Sequence, residues 1–452
     1  MKRFYILLIF LAIIGTSCKK FLDAKPDQSL ALPKDNLGNL QLLLNDTYTM
    51  NQRSPAVTEI ATDNAYLSDQ QWTKLKQTSA TSANPYIFSK DIFNETNTND
   101  WTTAYNVVFN ANLVLDGIKQ IPVTSSTLTQ WNSIKGSALF FRAVSFYSLL
   151  QEFAKGYNQG DPASNPGIVL RLTSDINTKS VRASVAASYN QVITDLQQAV
   201  PLLPVSVAFK TNPTKAAALG LLARTYLVMG NYAQALNYAN QYLVLSPALL
   251  DFNTLDTTAS YPISRYNNEV TFHETLYAIA AYRSAYVRVA DTLFNAYDPN
   301  DLRKTLFFNN GGVHNIKFKG SYDGSQALFS GVATDEVYLV AAECYARSGD
   351  LKNGLLMLNT LLTTRWVTGT FVPFSVTDQN SLMQLILAER RKELLFRNIR
   401  WSDLKRLNQE TAYQTTIKRM VNGQTYQLLP GDNYYALPIP IKVVQESNVT
   451  QN

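Results

Sequence analysis

Apolar residues recur at three- and four-residue intervals over long parts of the chain. Between Trp101 and Ile118, and again from Leu128 to Phe153, this spacing matches the 3.6-residue turn of an α-helix. The same pattern predicts helices over 184–203, 213–229, 231–245, 333–347, 351–364 and 379–408. We therefore predict a mainly α fold, with helical regions at about 101–153, 184–245 and 333–408.

Two of these regions share a finer pattern of small and aromatic residues. The first set is Leu219, Leu222, Ala223, Tyr226, Gly230, Tyr232, Ala235, Tyr242 and Pro247, and the second is Tyr338, Ala341, Ala342, Tyr345, Gly349, Leu351, Gly354, Leu358 and Leu361. The spacing matches a tetratricopeptide unit, in which two antiparallel helices cross at small residues. Gly230 and Gly349 stand where the turn must be tight. The chain is thus predicted to form a tetratricopeptide-like helical-repeat scaffold, with these residues in its core.

Three stretches lack helical periodicity and are rich in Asn, Asp, Ser, Thr, Gly and Tyr. They cover about 54–99, 156–183 and 248–331. Long irregular stretches inside a compact domain are usually functional loops or disordered segments. Because these contain many aromatic residues, we predict ordered loop insertions on the helical scaffold.

Composition excludes several classes of function. Hydrophobic residues make up 46% of the 452 residues and charged residues 16%, as in a folded globular body. The net charge is +6, falling to +4 without Lys2 and Arg3, and the basic residues are scattered. Nucleic-acid binding needs clustered positive charge, so we expect no nucleic-acid partner.

Cysteine and histidine are too few for a zinc site or an obvious catalytic centre. The chain has two of each, and a structural zinc site needs four such ligands at close spacing. His273 and His314 stand far apart and are interpreted as surface or loop residues. Cys344 lies on an apolar helical pattern and is interpreted as a buried small side chain. We predict no metal, no cofactor and no catalytic residue.

The N-terminus predicts export. Lys2 and Arg3 precede an apolar run from Phe4 to Ile14, and the small residues that follow lead directly to Cys18. Eleven helical residues span roughly 17 Å, too short for the roughly 30 Å of bilayer hydrocarbon. Residues 1–17 are therefore predicted to be a signal peptide and 18–452 a single domain. Cys18 resembles the acylated cysteine of a bacterial lipobox; a plain signal peptide with a chance cysteine is the alternative.

Short blocks spread over nearly the whole chain carry a family resemblance. They are Cys18-Lys-Lys-Phe-Leu-Asp-Ala-Lys-Pro26, Lys135-Gly-Ser-Ala-Leu-Phe-Phe-Arg-Ala143, Tyr297-Asp-Pro-Asn-Asp-Leu-Arg303, Glu336–Asp350, Glu389–Arg406, and Pro438-Ile-Pro440 with the closing Gln451-Asn452. In this order they resemble the motifs of the SusD/RagB family of Bacteroidetes lipoproteins. Gly331-Val-Ala and Val443 depart from that family's pattern, but neither touches the anchor or the repeats.

The resemblance implies a function as well as a fold. SusD/RagB proteins are lipid-anchored at the cell outer membrane, surface-exposed, and sit over a SusC-like TonB-dependent transporter barrel. They capture glycans, or in some members peptides, and deliver them to the barrel. We therefore expect a nutrient-binding lipoprotein with these partners. A protein-only helical-repeat scaffold is an alternative.

The block from Glu389 to Arg406 invites a catalytic interpretation. Glu389 and Glu393 lie one helical turn apart, as paired glycosidase carboxylates could. Many arginines stand nearby, and cations lower the raised pKa that a catalytic acid needs. We predict instead an ion-paired network that fixes helix packing, with Trp401 in the core. A surface hydrolase would otherwise have to use the loop acids Asp63, Asp69, Asp91 and Glu95.

Ligand contacts are expected among aromatic residues of the insertions. Sugars present flat C–H faces edged with hydroxyls, which suit an aromatic ring bordered by amides. Trp72 and Tyr66 stand beside Asn64, and Trp72 lies outside the helical core patterns, so we predict it as a ligand platform. A second candidate set consists of Tyr261, Tyr266, Tyr282, Tyr286 and Tyr322. The alternative is that these rings pack the loops onto the helices.

Overall fold

The computed structural model describes residues 36–93, 99–277, 280–282 and 286–452. Its helices are α1 (Leu37–Leu44), α2 (Thr47–Asn51), α3 (Val57–Ala61), α4 (Asp69–Thr78), α5 (Ala80–Ala83), α6 (Asp100–Ile118), α7 (Leu128–Phe153), α8 (Val185–Ala199), α9 (Lys215–Val228), α10 (Tyr232–Leu245), α11 (Asp291–Phe294), α12 (Arg303–Leu306), α13 (Thr334–Arg347), α14 (Leu351–Thr363), α15 (Gln379–Glu393), α16 (Arg400–Leu407) and α17 (Ile441–Ser447). The mainly helical fold predicted from the sequence is confirmed. Cys18 and the predicted signal peptide lie outside the described residues.

Strands are short and pair only in twos within the described part of the chain. They are β1 (Ala65–Tyr66), β2 (Pro166–Val169), β3 (Arg182–Ser184), β4 (Val270–Phe272), β5 (Arg288–Val289), β6 (Phe308–Asn310), β7 (Ile316–Phe318), β8 (Val332–Ala333), β9 (Ile417–Val421) and β10 (Gln424–Leu428). The antiparallel pairs are β1–β5, β2–β3, β4–β8, β6–β7 and β9–β10. Two of them, β1–β5 and β4–β8, tie distant loop segments together.

The two repeat units are helix pairs, as their spacing predicts. In α9–α10 the turn is made by Gly230 at φ +74°, and in α13–α14 by Gly349 at φ +84°, a left-handed conformation that glycine adopts without strain. Gly220 lies at a crossing: a Cβ there would approach Val332 to 2.6 Å and the Tyr242 ring to 3.1 Å. Small residues are therefore required where the helices meet.

The longest helices, α6 and α7, pack antiparallel and are joined to α8 by a buried polar link. Arg142 of α7 donates to both carboxylate oxygens of Asp195 at 2.7 and 2.8 Å, and to Asn112 of α6 at 2.9 Å. A bidentate pair of this kind fixes orientation as well as distance. The arginine of the Phe-Arg-Ala block thus holds three helices in register.

Two sequence-based expectations about secondary structure are wrong. The stretch 54–99 is not irregular throughout, because it contains the short helices α3, α4 and α5, of which α4 and α5 start at the side-chain caps Ser68 and Ser79. The helix predicted over 379–408 is two helices, α15 and α16. The chain turns between them at Phe396 and Asn398, whose φ angles are +56° and +59°.

The insertions have an apolar core of their own. Alongside the large cluster between the helices, a second cluster packs aromatic side chains of the segments around 56–86 and 252–329, among them Tyr86, Phe252, Phe307, Phe308 and Phe329. Most loop aromatics therefore pack the loops, as the alternative interpretation expected.

A buried ion network joins this second cluster to α15. Arg303 donates to Glu389 at 2.6 Å and to Glu393 at 2.9 Å, and Arg365 donates to Glu393 at 2.8 Å. The ion-paired network predicted for Glu389 and Glu393 is thus present. The arginines of this network, Arg303 and Arg365, come from other segments of the chain. The arginines close to Glu389 and Glu393 in sequence form other ion pairs, Arg390 with Asp403 and Arg406 with Glu343.

Candidate functional site

Three of the side chains predicted to contact ligand are buried. Trp72 lies in α4 with 6% of its surface exposed, and its indole N–H donates to the Ala83 carbonyl at 3.1 Å. Tyr322 donates to Glu269 at 2.6 Å beneath the Arg397 guanidinium, and Asn64 accepts from Arg391 at 3.0 Å. These side chains stabilise the loops and present no surface to a ligand. The structure places the Trp72 ring, predicted as a ligand platform, inside the apolar cluster of the insertions, with no exposed face for a sugar.

The remaining tyrosines of the second set are spread over the surface of the insertions. Tyr261 and Tyr266 are 41% and 39% exposed, while Tyr282 and Tyr286 are half-buried. Tyr261 and Tyr282 line a pocket of about 70 Å³, and Tyr286 approaches Thr78 at 3.4 Å. The structure does not bring these four rings together into one platform.

A much larger cleft, of about 570 Å³, opens beside Tyr66. One wall is the segment from Asp63 to Asp69 with Tyr86, the second is the start of α11, and the third is the hairpin β9–β10 with the residues before it. The lining is mostly polar. It consists of Asp63, Ala65, Tyr66, Asp69, Tyr86, Ala290, Thr292, Arg391, Thr415, Thr416, Ile417, Lys418, Arg419 and Met420.

An aromatic pair stands at the edge of this cleft. The Tyr66 and His314 rings stack with centroids 4.5 Å apart and planes inclined by 20°. His314 has φ +57°, and this left-handed backbone is held because its N–H and ring Nδ1 both contact the Asp291 carboxylate, at 3.0 and 2.6 Å. This pairing could not be predicted from the sequence, because 248 positions separate the two residues and a single histidine is a weak signal. His314 is a loop residue, but it is not isolated.

The floor of the cleft is an ion cluster. Arg400 donates to both oxygens of Asp63 at 2.8 Å, and Arg391 contacts the same carboxylate at 3.0 Å. Burial alone would raise the pKa of Asp63, but Arg400 and Arg391 hold it well below its ordinary value. Asp63 is therefore ionised at every physiological pH, so it cannot serve as a general acid. The block 389–406 supplies both arginines.

The hairpin wall is held in place by a buried arginine. Arg419 inserts its guanidinium over the Tyr86 ring, 3.8 Å from the centroid, and donates to the carbonyls of Ile60, Thr62 and Tyr86. The turn at Asn422 and Gly423, both at positive φ, is the kind that matches the twist of a two-residue hairpin. Its tip bonds to Asp69 through the Asn422 N–H at 2.9 Å.

A buried carboxyl lies directly behind the floor. Glu59 is fully buried, accepts from the Asn398 N–H at 2.7 Å, and has its Oε1 without a partner in the described structure. Burial raises its pKa from 4.5 to about 7, and the neighbouring charge of Asp63 adds to the rise. Glu59 therefore holds its proton to a higher pH in the folded protein than in the unfolded chain.

This raised pKa predicts a pH-dependent stability difference for Glu59→Gln. Protonated Glu59 contributes its full share to the free energy of unfolding of the wild type below about pH 4.5, the pKa of the group in the unfolded chain. This contribution is lost as the pH rises through about 7, the pKa of Glu59 in the folded protein. Glutamine does not titrate. Relative to wild type, Glu59→Gln should gain on the order of 2 kcal/mol between pH 5 and pH 8, at about 1.4 kcal/mol per pKa unit. Urea unfolding at both pH values measures this change, and a pH-independent difference would contradict it.

The described residues hold no cluster of His, Cys, Asp and Glu side chains that could bind a metal ion. Of the four acids considered for a hydrolase, Asp63 is ion-paired, Asp69 accepts the Asn422 N–H of the hairpin turn, and Asp91 is exposed. Glu95 lies outside the described residues. The two acids of the cleft, Asp63 and Asp69, thus make contacts that hold its walls and floor together.

Comparisons with known proteins agree with the motifs. A family model described as "Starch-binding associating with outer membrane" matches residues 20–227, and the SusD family model matches residues 299–452. "SusD-like protein P2" of Formosa agariphila is 23% identical over 78% of this chain and 79% of its own length. The chain belongs to the SusD/RagB family, a family of binding proteins associated with the outer membrane.

Solved structures share the fold. A SusD superfamily protein of Bacteroides thetaiotaomicron superposes with a TM-score of 0.73 at 21% identity, covering 92% of this chain and 99% of that one. A SusD-like carbohydrate-binding protein of Bacteroides vulgatus gives a TM-score of 0.67 at 19% identity, covering 92% and 97%.

None of the helices described here combines the length and apolar composition needed to cross a bilayer.

Proposed function

We propose that the protein is a cell-surface nutrient-binding lipoprotein that captures glycans in the cleft beside Tyr66. The bound glycan would then pass to a SusC-like TonB-dependent transporter in the outer membrane. Family membership supports a binding role, the description of one matching family model refers to starch, and the names of similar solved structures refer to sugar or carbohydrate. The observation that carries the proposal for this chain is the cleft of about 570 Å³ with the Tyr66–His314 stack at its edge.

The geometry of the cleft suits a sugar. Tyr66, backed by the stacked His314 ring, offers an aromatic surface on one side, and the hydroxyls of Thr415 and Thr416 with the charged groups of the floor offer hydrogen bonds on the other. Ligand pockets of about 300–1,000 Å³ accommodate small ligands, so the volume admits a short oligosaccharide. The site also stands on segments fixed by Arg419 and by β1–β5, which limits the entropy lost on binding.

The anchor in this proposal is Cys18. Acyl chains on a cysteine contribute about 0.8 kcal/mol per buried CH₂, so several chains would hold the protein firmly at the membrane surface. The chain between Cys18 and Asn36 would then link the lipid to the first described helix. Cys344 is buried in α13, and burial raises its pKa to about 12, which keeps that thiol unreactive.

Replacing Tyr66 by alanine tests the site. A glycan array first identifies an oligosaccharide that the wild-type protein binds, and isothermal titration then measures its affinity. Tyr66→Ala removes one stacking face, worth about 1 kcal/mol, so affinity should fall about fivefold or more. Tyr66→Phe keeps the ring and should retain most of the affinity.

Tyr261→Ala distinguishes the cleft from the second set of tyrosines. This exposed ring lines the smaller pocket, and its removal should leave affinity unchanged if the cleft is the site. The opposite result, loss with Tyr261→Ala but not with Tyr66→Ala, would move the site to that pocket. Peptides on the same array test the peptide-binding alternative. A protein that co-purifies with a barrel but binds neither class would instead be a protein-only scaffold.

A further inference from the structure

The acids of the cleft have their charges compensated. Both oxygens of Asp63 are taken by Arg400 and Arg391. Asp69 is the first residue of α4, where the helix dipole favours negative charge, and one of its oxygens accepts the Asn422 N–H. Asp291, beside the cleft, is contacted by the ring and the backbone of His314. The carboxylates therefore contribute little free negative charge to a ligand.

The cations are compensated less completely. Arg391 uses Nε and Nη2 on Asn64 and Asp63, and its Nη1 has no hydrogen-bond partner among the described residues. Lys418 is exposed on β9 and forms no ion pair with any part of the chain that the structure describes. Arg419 donates only to backbone carbonyls, with no carboxylate of the described residues within ion-pairing distance.

These three cations belong to the lining of one cleft. Arg391 lies in the floor and Lys418 is exposed on β9, while the adjacent Arg419 turns to the opposite, buried face of that strand, where its guanidinium donates to backbone carbonyls. Among the charged residues that line the cleft, Arg391, Lys418 and Arg419 outnumber Asp63 and Asp69 by one. Partial burial of the cleft limits screening by water, which strengthens attraction to an anion.

We infer that the cleft selects glycans that carry negative charge, as a uronate carboxylate or a sulfate ester. This inference rests on the proposed glycan-binding function and narrows its substrate class. The Tyr66 ring, supported from behind by His314, receives the sugar face, and the free Nη1 of Arg391 with Lys418 receives the anionic group. Charge-assisted hydrogen bonds of this kind are about twice as strong as neutral ones. A neutral glycan would leave the cationic groups without a partner.

A matched pair of ligands tests the inference with the full-length mature protein. An array of neutral, uronate-containing and sulfated oligosaccharides identifies a bound glycan. Isothermal titration then compares that glycan with its neutralised form, the methyl ester of a uronate or the desulfated form of a sulfate ester. The charged form should bind at least about tenfold more tightly at low salt, and the gap should narrow in 0.5 M NaCl as screening shortens the range of the charges.

Lys418→Gln supplies the protein side of the test. It removes one charge from an exposed strand position, and affinity for the charged glycan should fall about three- to tenfold, so that the difference in affinity between the charged and the neutral form narrows. Lys317→Gln is the matched control, because Lys317 is an exposed lysine in the middle of strand β7, outside the cleft. Equal melting temperatures of both variants would show that the fold is intact.

The outcomes separate the inference from the function it rests on. Equal affinity for charged and neutral forms, or no effect of Lys418→Gln, would overturn the inference and leave glycan binding standing. Failure to bind any glycan on the array would overturn the proposed function itself. Binding of tetra-aspartate without binding of any glycan would also overturn the inference, because the cationic cleft would then serve an acidic peptide.

Discussion

Replacing Arg365 by methionine is expected to destabilise the fold by about 3–5 kcal/mol, the usual cost of removing one partner from a buried ion pair. Arg365 is fully buried and donates to Glu393 at 2.8 Å, to Glu269 at 2.7 Å and to the Leu250 carbonyl at 2.7 Å. Methionine replaces the aliphatic part of the arginine side chain but is shorter and carries no charge. It would leave Glu269 and one oxygen of Glu393 without their cation in a region that excludes water.

Urea unfolding measures this loss as a shift of the midpoint at constant slope. A double-mutant cycle with Glu393→Gln isolates the pair, and residues in contact like these should show a coupling of about 1–3 kcal/mol. Lys119→Met is the control, because its ion pair with Asp116 is exposed and such pairs contribute at most about 1 kcal/mol. A cost for Arg365→Met as small as that of Lys119→Met would contradict the role assigned to the network.

The helical part of the fold could be predicted because its signal is local. The spacing of Leu222, Tyr226, Gly230 and Tyr232 indicates a helix pair whatever the rest of the chain does, and the structure has that pair as α9 and α10. The break between α15 and α16 was missed because the apolar spacing continues across it. Phe396 and Asn398 adopt positive φ there, and Asn398 is held by bonds to Glu59 and Pro55. Such partners lie more than 300 positions away and leave no local pattern.

The candidate site was predictable only in part, for the same reason. Tyr66, a candidate from the sequence, lines the cleft, but its neighbours there come from α11, α15 and β9. Trp72 was selected because a polar stretch surrounds it, yet a ten-residue helix with a single buried edge looks polar in sequence. Whether an aromatic ring is exposed depends on the segments that pack over it in the tertiary structure. Trp72 is covered by the chain around Ala83.

The block 389–406 serves packing and site together. Glu389 and Glu393 face the buried network, while Arg391 and Arg400 turn to Asp63 at the floor of the cleft. Consecutive residues of α15 point in different directions around the helix, so one short motif can reach both regions. A substitution that loosens the packing of residues 389–406 is therefore expected to change the shape of the cleft as well.

Trp401 occupies the centre of that block, and Trp401→Ala is expected to cost about 3–5 kcal/mol, as for other large aromatic residues truncated in a core. Its ring is 1% exposed and packs against Tyr435 with centroids 4.8 Å apart and against Tyr434 at 6.4 Å. These contacts fix α16 to the C-terminal segment. Alanine would leave a cavity that the rigid helices around it cannot fill.

Trp401→Phe separates the packing of this residue from its polarity. The indole Nε1 is buried and has no hydrogen-bond partner in the part of the chain that the structure describes, so losing the N–H should carry no penalty. Phenylalanine keeps most of the ring contact with Tyr435, and the cost should be no more than about half that of alanine. Urea midpoints of both variants, measured beside wild type, check the order.

Equal losses for phenylalanine and alanine would show that an unrecognised polar contact, and not the volume of the ring, stabilises α16. A loss below about 1 kcal/mol for alanine would show that the site collapses around the missing side chain.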